Sequence, residues 1–96
     1  MTYEFLKENG TFITEVDFSS NGVYAGTKYY YLYNNTLYCR YEPTNAFQYN
    51  GKTETYPVID DVKVALEKYN DEYFYMEADI DEEGYEKLKE IYEEVK

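Results

Sequence analysis

The amino-acid sequence predicts an α+β domain, a mainly antiparallel sheet of four to six strands with two helices packed on it. Three observations lead there. Residues 27–42 are dominated by tyrosine and interrupted by Asn34-Asn35, the pattern of two strands folded back on each other, because Asn tolerates the positive φ that tight hairpin turns demand. From about Glu82 the period changes, and Tyr85, Leu88, Ile91, Tyr92 and Val95 fall into one stripe at helical spacing. Finally, 96 residues with 44% hydrophobic and 21% aromatic content can fill one modest core, which sets the expectation of a single domain spanning residues 1–96.

Each element follows from local chemistry. Residues 2–6 read as a first strand, and Asn9-Gly10 as a hairpin cue before a second strand over residues 11–18. In that strand Phe12, Thr14, Val16 and Phe18 share one face, with Ile13, Glu15 and Asp17 on the other. A turn over residues 19–22 and a bend at Gly26 lead into the tyrosine hairpin. Within the hairpin Leu37, Cys39 and Tyr41 share one face, and Thr36, Tyr38 and Arg40 share the opposite one. Residues 42–51 carry Pro43, Asn45, Asn50 and Gly51 without periodicity and read as a loop anchored by Phe47 and Tyr49. Residues 53–58 form an extra strand that Pro57 confines to an edge. A short amphipathic helix is expected over residues 61–69 with Asp60 as its cap, then a strand over residues 73–78 with Phe74, Met76 and Ala78 on one face. The last helix starts after Asp81. Residues 1–58 are thus mainly β, and residues 59–96 run helix, strand, helix.

Charge narrows the function. Twenty acidic against nine basic residues give a net charge of −11, concentrated in the second half of the chain. A field of that sign repels phosphate backbones and anionic lipids, so direct nucleic-acid and membrane binding are disfavoured while basic proteins and divalent cations are favoured. A single cysteine, Cys39, and no apolar leader or long apolar run point to a cytoplasmic protein. The chain has no histidine, hence neither the commonest general base nor the commonest metal ligand. Cys39 without a histidine partner suits a small apolar filler. No catalytic motif, Gly-rich phosphate loop or cofactor signature is present, and the expectation is a non-enzyme without cofactor.

The pattern that stands out is on the wet side of the last helix, where Glu82, Glu86, Glu90 and Glu94 recur every fourth residue. Like charges at that spacing cost a few tenths of a kcal/mol per pair. A solvated charged face is the commoner explanation; a line of carboxylates presented to a basic groove is the functional one. Glu77 and Asp79 flank the row, and Tyr30 and Tyr38 are candidate anchor contacts, since tyrosine is enriched where proteins meet. Asp79 to Gly84 with Glu90 beyond them resembles the calcium-binding EF-hand loop over twelve residues, yet a helix start accounts for the same residues.

Short length, strong acidity and abundant tyrosine together resemble the small inhibitors encoded by phages and mobile elements, including anti-CRISPR proteins and DNA mimics. The resemblance is one of composition, with no shared motif. It implies a non-catalytic inhibitor that binds a basic nucleic-acid-handling protein in the host cytoplasm and needs no cofactor; a monomer or homodimer is expected. The alternatives are a regulatory domain that binds through its tyrosine-rich sheet face, a calcium-binding module and, last, a small hydrolase using paired carboxylates.

Overall fold

The computed structural model describes residues 2–44 and 53–94, and the fold is α+β. Its elements are α1 (Tyr3–Asn9), β1 (Thr11–Ser20), β2 (Val23–Tyr33), β3 (Thr36–Pro43), β4 (Glu54–Ile59), α2 (Val62–Lys68), α3 (Asp71–Ala78) and α4 (Glu82–Glu94). The four strands pair antiparallel in the order β1-β2-β3-β4. Phe47, Tyr49 and most of the expected loop, together with Val95 of the helical stripe, lie outside the described residues.

The sheet is built on two tight hairpins. Asn34 and Asn35 adopt φ of 49° and 66° between the paired residues Tyr33 and Thr36, as their residue type requires. Asn21-Gly22 does the same between Ser20 and Val23, with φ of 53° and 80°. The hairpin at Asn34-Asn35 also anchors the start of α2. Asn35 accepts from Val62 N–H through its backbone carbonyl at 2.9 Å and donates its side-chain amide to Asp61 at 2.6 Å. Asp61 caps α2 by accepting from Val64 N–H at 3.2 Å. The Asn35 amide, then the Val64 N–H, hold the Asp61 carboxyl below its ordinary range. Asp61, not Asp60, is therefore the cap.

Two expected strands are helices. Residues 3–6 belong to α1 and Thr2 caps it: Thr2 Oγ1 accepts from Phe5 N–H at 3.2 Å, and Asn9 and Gly10 close the helix by donating to Phe5 O and Leu6 O. Asn9-Gly10 is thus a helix stop rather than a hairpin. Residues 73–78 belong to α3, capped by Asn70, whose side chain accepts from Tyr73 N–H at 3.3 Å. Phe74 and Ala78, four apart, are buried while Met76 is 81% exposed, the burial pattern of a helix and not of a strand.

The two faces of the sheet differ. One packs against α2, α3 and α4 and holds the core, in which Tyr30, Leu37, Cys39, Val62, Phe74 and Leu88 are fully buried. On the other, α1 lies over β2, with Tyr3 against Tyr31 and Phe5 against Tyr33 in edge-on contacts. A bulge between Phe12 and Thr14 reassigns the first strand. Ile13 joins the core beside Thr14, whereas Phe12 turns to Tyr31 on the opposite face.

Candidate partner-binding site: the acidic face of α4

The position of α4 is set by its first turn. Asp81 Oδ1 accepts from Gly84 N–H at 2.8 Å, capping the helix, while Oδ2 accepts from Thr14 Oγ1 of β1 at 3.3 Å. Gly84 permits this approach: a Cβ there would lie 2.5 Å from Thr14 Cγ2 and 2.7 Å from Ile80 Cδ1, so those side chains would have to shift. One turn on, Lys87 Nζ donates to Phe12 O at 2.6 Å and lies over the Phe12 ring, so this cation is directed to the sheet. Tyr85 and Leu88 are buried. At the far end Tyr92 donates to Asn35 Oδ1 at 2.5 Å. The helix is pinned to the sheet along its length, which leaves its outer face turned to solvent.

Glu82, Glu86 and Glu90 are exposed on that outer face and, with Glu83 and the stem of Lys87, line one shallow depression. Lys89 tempers the row through a 4.0 Å pair with Glu86, an exposed contact of the kind worth roughly 0–1 kcal/mol. Glu94 ends the helix, and its side chain lies outside the described residues.

The flanking residues are distributed differently from the expectation. Tyr75 of α3 lies 6.0 Å from Tyr85 of α4, and its phenol is pushed up by burial and then by Asp71, Glu82 and Glu86. Asp71 and two of the α4 carboxylates thus act on the same phenol. Glu77 instead acts on Tyr73, as does Asp60. Asp79 is the left-handed C-cap of α3 at φ 55° and pairs with Lys28 of β2 at 2.8 Å, so much of its charge is neutralised within the fold. Reading α3 as a helix places Asp71 one turn before Tyr75.

Tyr30 is not a contact residue. It is fully buried, donates its hydroxyl to Ala78 O and Asp79 O, and has its phenol pushed far up by burial. It ties the C-terminus of α3 to β2. Tyr38 lies on the opposite face, half-buried between Tyr31 and Pro57 in the register. The two tyrosines are thus not brought together. Cys39 is buried beside Tyr30 and Tyr56, and burial pushes its thiol up, which suits a filler and not a nucleophile.

The EF-hand-like stretch resolves into a helix boundary, with Asp79 ending α3 and Asp81 starting α4. Among the described residues no three carboxylate or cysteine side chains group as metal ligands, and no helix is long and apolar enough to cross a membrane. Comparison of the chain with protein-family models, with curated proteins and with solved structures finds no match.

Proposed function

We propose that this chain is a non-catalytic, acidic protein-binding inhibitor that lays the outer face of α4 on the basic nucleic-acid-binding surface of a host defence or DNA-handling protein, in the manner of DNA mimics and anti-CRISPR proteins. The observation that carries this reading is the exposed row Glu82, Glu86 and Glu90 on a helix held at both ends by Asp81–Thr14 and Tyr92–Asn35. Successive members of the row are about 6 Å apart along the axis. A preorganised line of like charge raises encounter rates with cationic surfaces and selects among them. Between Asp71 and Glu94 the chain carries eleven carboxylates and two lysines, and one of those lysines, Lys87, is directed to β1. Contacts are assigned to Glu82, Glu86, Glu90 and Glu94, with Asp71 added and Glu77 and Asp79 peripheral.

The test is capture of the partner from bacterial lysate by the tagged protein, washed at low and then high salt, and then affinity measurement with Glu82, Glu86, Glu90 and Glu94 all changed to Gln. A basic nucleic-acid-handling protein shed by salt is expected. The quadruple variant should bind it about thirtyfold more weakly, from four exposed charge contacts at about 0.5 kcal/mol each. Undiminished affinity in a folded quadruple variant overturns the assignment. A second surface is favoured by one observation, the exposure of Phe5 and Phe12 around the tyrosines of the α1-bearing face. A salt-resistant complex weakened by Tyr38→Ala would move the contact there.

A further inference from the structure

We propose that the free edge of β1 is a docking strand for an extended segment of the partner in which basic and apolar residues alternate. This deepens, and rests on, the assignment of a basic protein partner. β1 is an outer strand of the sheet, and among the described residues no strand pairs with its other side. Bulges interrupt its pairing with β2 at Phe12/Thr14 and Phe18/Ser19, but between them five consecutive residues keep regular register, from Thr14 opposite Tyr30 to Phe18 opposite Gly26. The outward side of that run presents a regular ladder of backbone donors and acceptors, the template for strand addition. Just before it, Phe12 O is already taken by Lys87, so the open ladder begins after the bulge.

The side chains of this run specify the occupant. Glu15 and Asp17 are exposed on the α1-bearing face, whereas Val16 and Phe18 are half-buried on the helix-bearing face. A strand laid beside β1 sends its own side chains alternately to the same two faces. Lysine or arginine then meets the acids, and apolar residues complete the burial of Val16 and Phe18. Asp17 is held in position by a hydrogen bond from Thr27 Oγ1 at 2.7 Å. On the other face Lys28 lies over the Phe18 ring at 5.3 Å, which excludes a second cation there and favours an apolar neighbour. A second copy of the chain fits poorly, because two antiparallel β1 strands would set Glu15 and Asp17 against their own counterparts, and like charges directly opposite are destabilising. α4 crosses β1 at Thr14 and Phe12, so one partner can reach both the edge and the acidic helix.

The experiment records amide shifts and hydrogen exchange of the full chain on addition of a short blocked peptide in which lysine and valine alternate. A peptide of the same composition with its lysines consecutive is the control. The alternating peptide should slow exchange of outward-facing amides among residues 14–18, the control should not, and Glu15→Lys should weaken the alternating peptide about fivefold by turning one exposed ion pair into a repulsion. Glu15 is exposed, so this variant tests binding without disturbing the core. Shifts confined to α4 and equal for the two peptides overturn strand addition while leaving the acidic-helix reading standing. Absence of shifts anywhere overturns both.

Discussion

The two faces of the sheet are covered unequally. Among the described residues, one carries three helices and every member of the main hydrophobic cluster; the other carries the seven-residue α1, pinned by the fully buried Leu6 and by Tyr31, with Phe5 and Phe12 left partly in water. The same tyrosine-rich hairpin feeds both faces, Tyr30 to the core and Tyr31 to α1. Residue type does not separate the faces. What separates them is the number of elements that the rest of the chain brings to each side.

The largest expected effect tests the covered face. Phe74→Ala should cost about 3–5 kcal/mol in denaturant unfolding, because a fully buried ring leaves a cavity between α3, α4 and the sheet. That is a large share of the stability of a domain this size, and a cost below about 1 kcal/mol would break the comparison. Leu6→Ala should cost about 2 kcal/mol, and the loss should fall on α1: its amides exchange faster while those of β2 and β3 keep their protection. Uniform loss of protection would show that the two faces unfold as one unit.

The smallest effect at neutral pH comes from Tyr31→Phe, whose consequence is confined to alkaline solution. Burial, then the neighbouring Tyr3 hydroxyl, pushes the Tyr31 phenol up to about 12. A phenol raised in the folded state adds stability that is complete below the unfolded value near 10 and is lost as pH rises towards 12. The melting temperature should therefore decline above pH ~10. Tyr31→Phe should make the decline shallower without abolishing it, since burial also raises Tyr30 and Tyr56 on the helix-bearing side. An unchanged decline would show that α1 does not keep water from Tyr31.

The hairpin at Asn34-Asn35 and the helix α4 are legible in the sequence because each depends on chemistry within a few residues: paired asparagines that accept positive φ, and an apolar stripe beginning after a capping aspartate. The two misread segments are short aromatic runs, in which alternation and helical spacing predict nearly the same residues. Their caps decide the matter. Thr2 accepts from Phe5 N–H and Asn70 from Tyr73 N–H, each a signal present in the sequence. By position Asn70 could end α2 or begin α3, and its hydrogen bond places it at the start of α3. In the candidate site the glutamate row is visible from spacing alone. That Asp71 and the row bear on one phenol, Tyr75, and that Asp79 is taken by Lys28, depends on neighbours in other elements.

Nearest neighbours along the chain are enough to set the tight turns, the cap of α4, its amphipathic stripe and the concentration of charge in the second half, and all of these can be read from the residues in order. Packing between distant elements settles which tyrosines are buried, that Ile13 crosses to the core through a bulge, and that α1 lies on the opposite side of the sheet from the other helices. Those outcomes turn on contacts such as Tyr30 with Ala78 or Thr14 with Asp81. Residues that far apart in the chain meet through the packing of whole elements, and local spacing carries no record of that encounter.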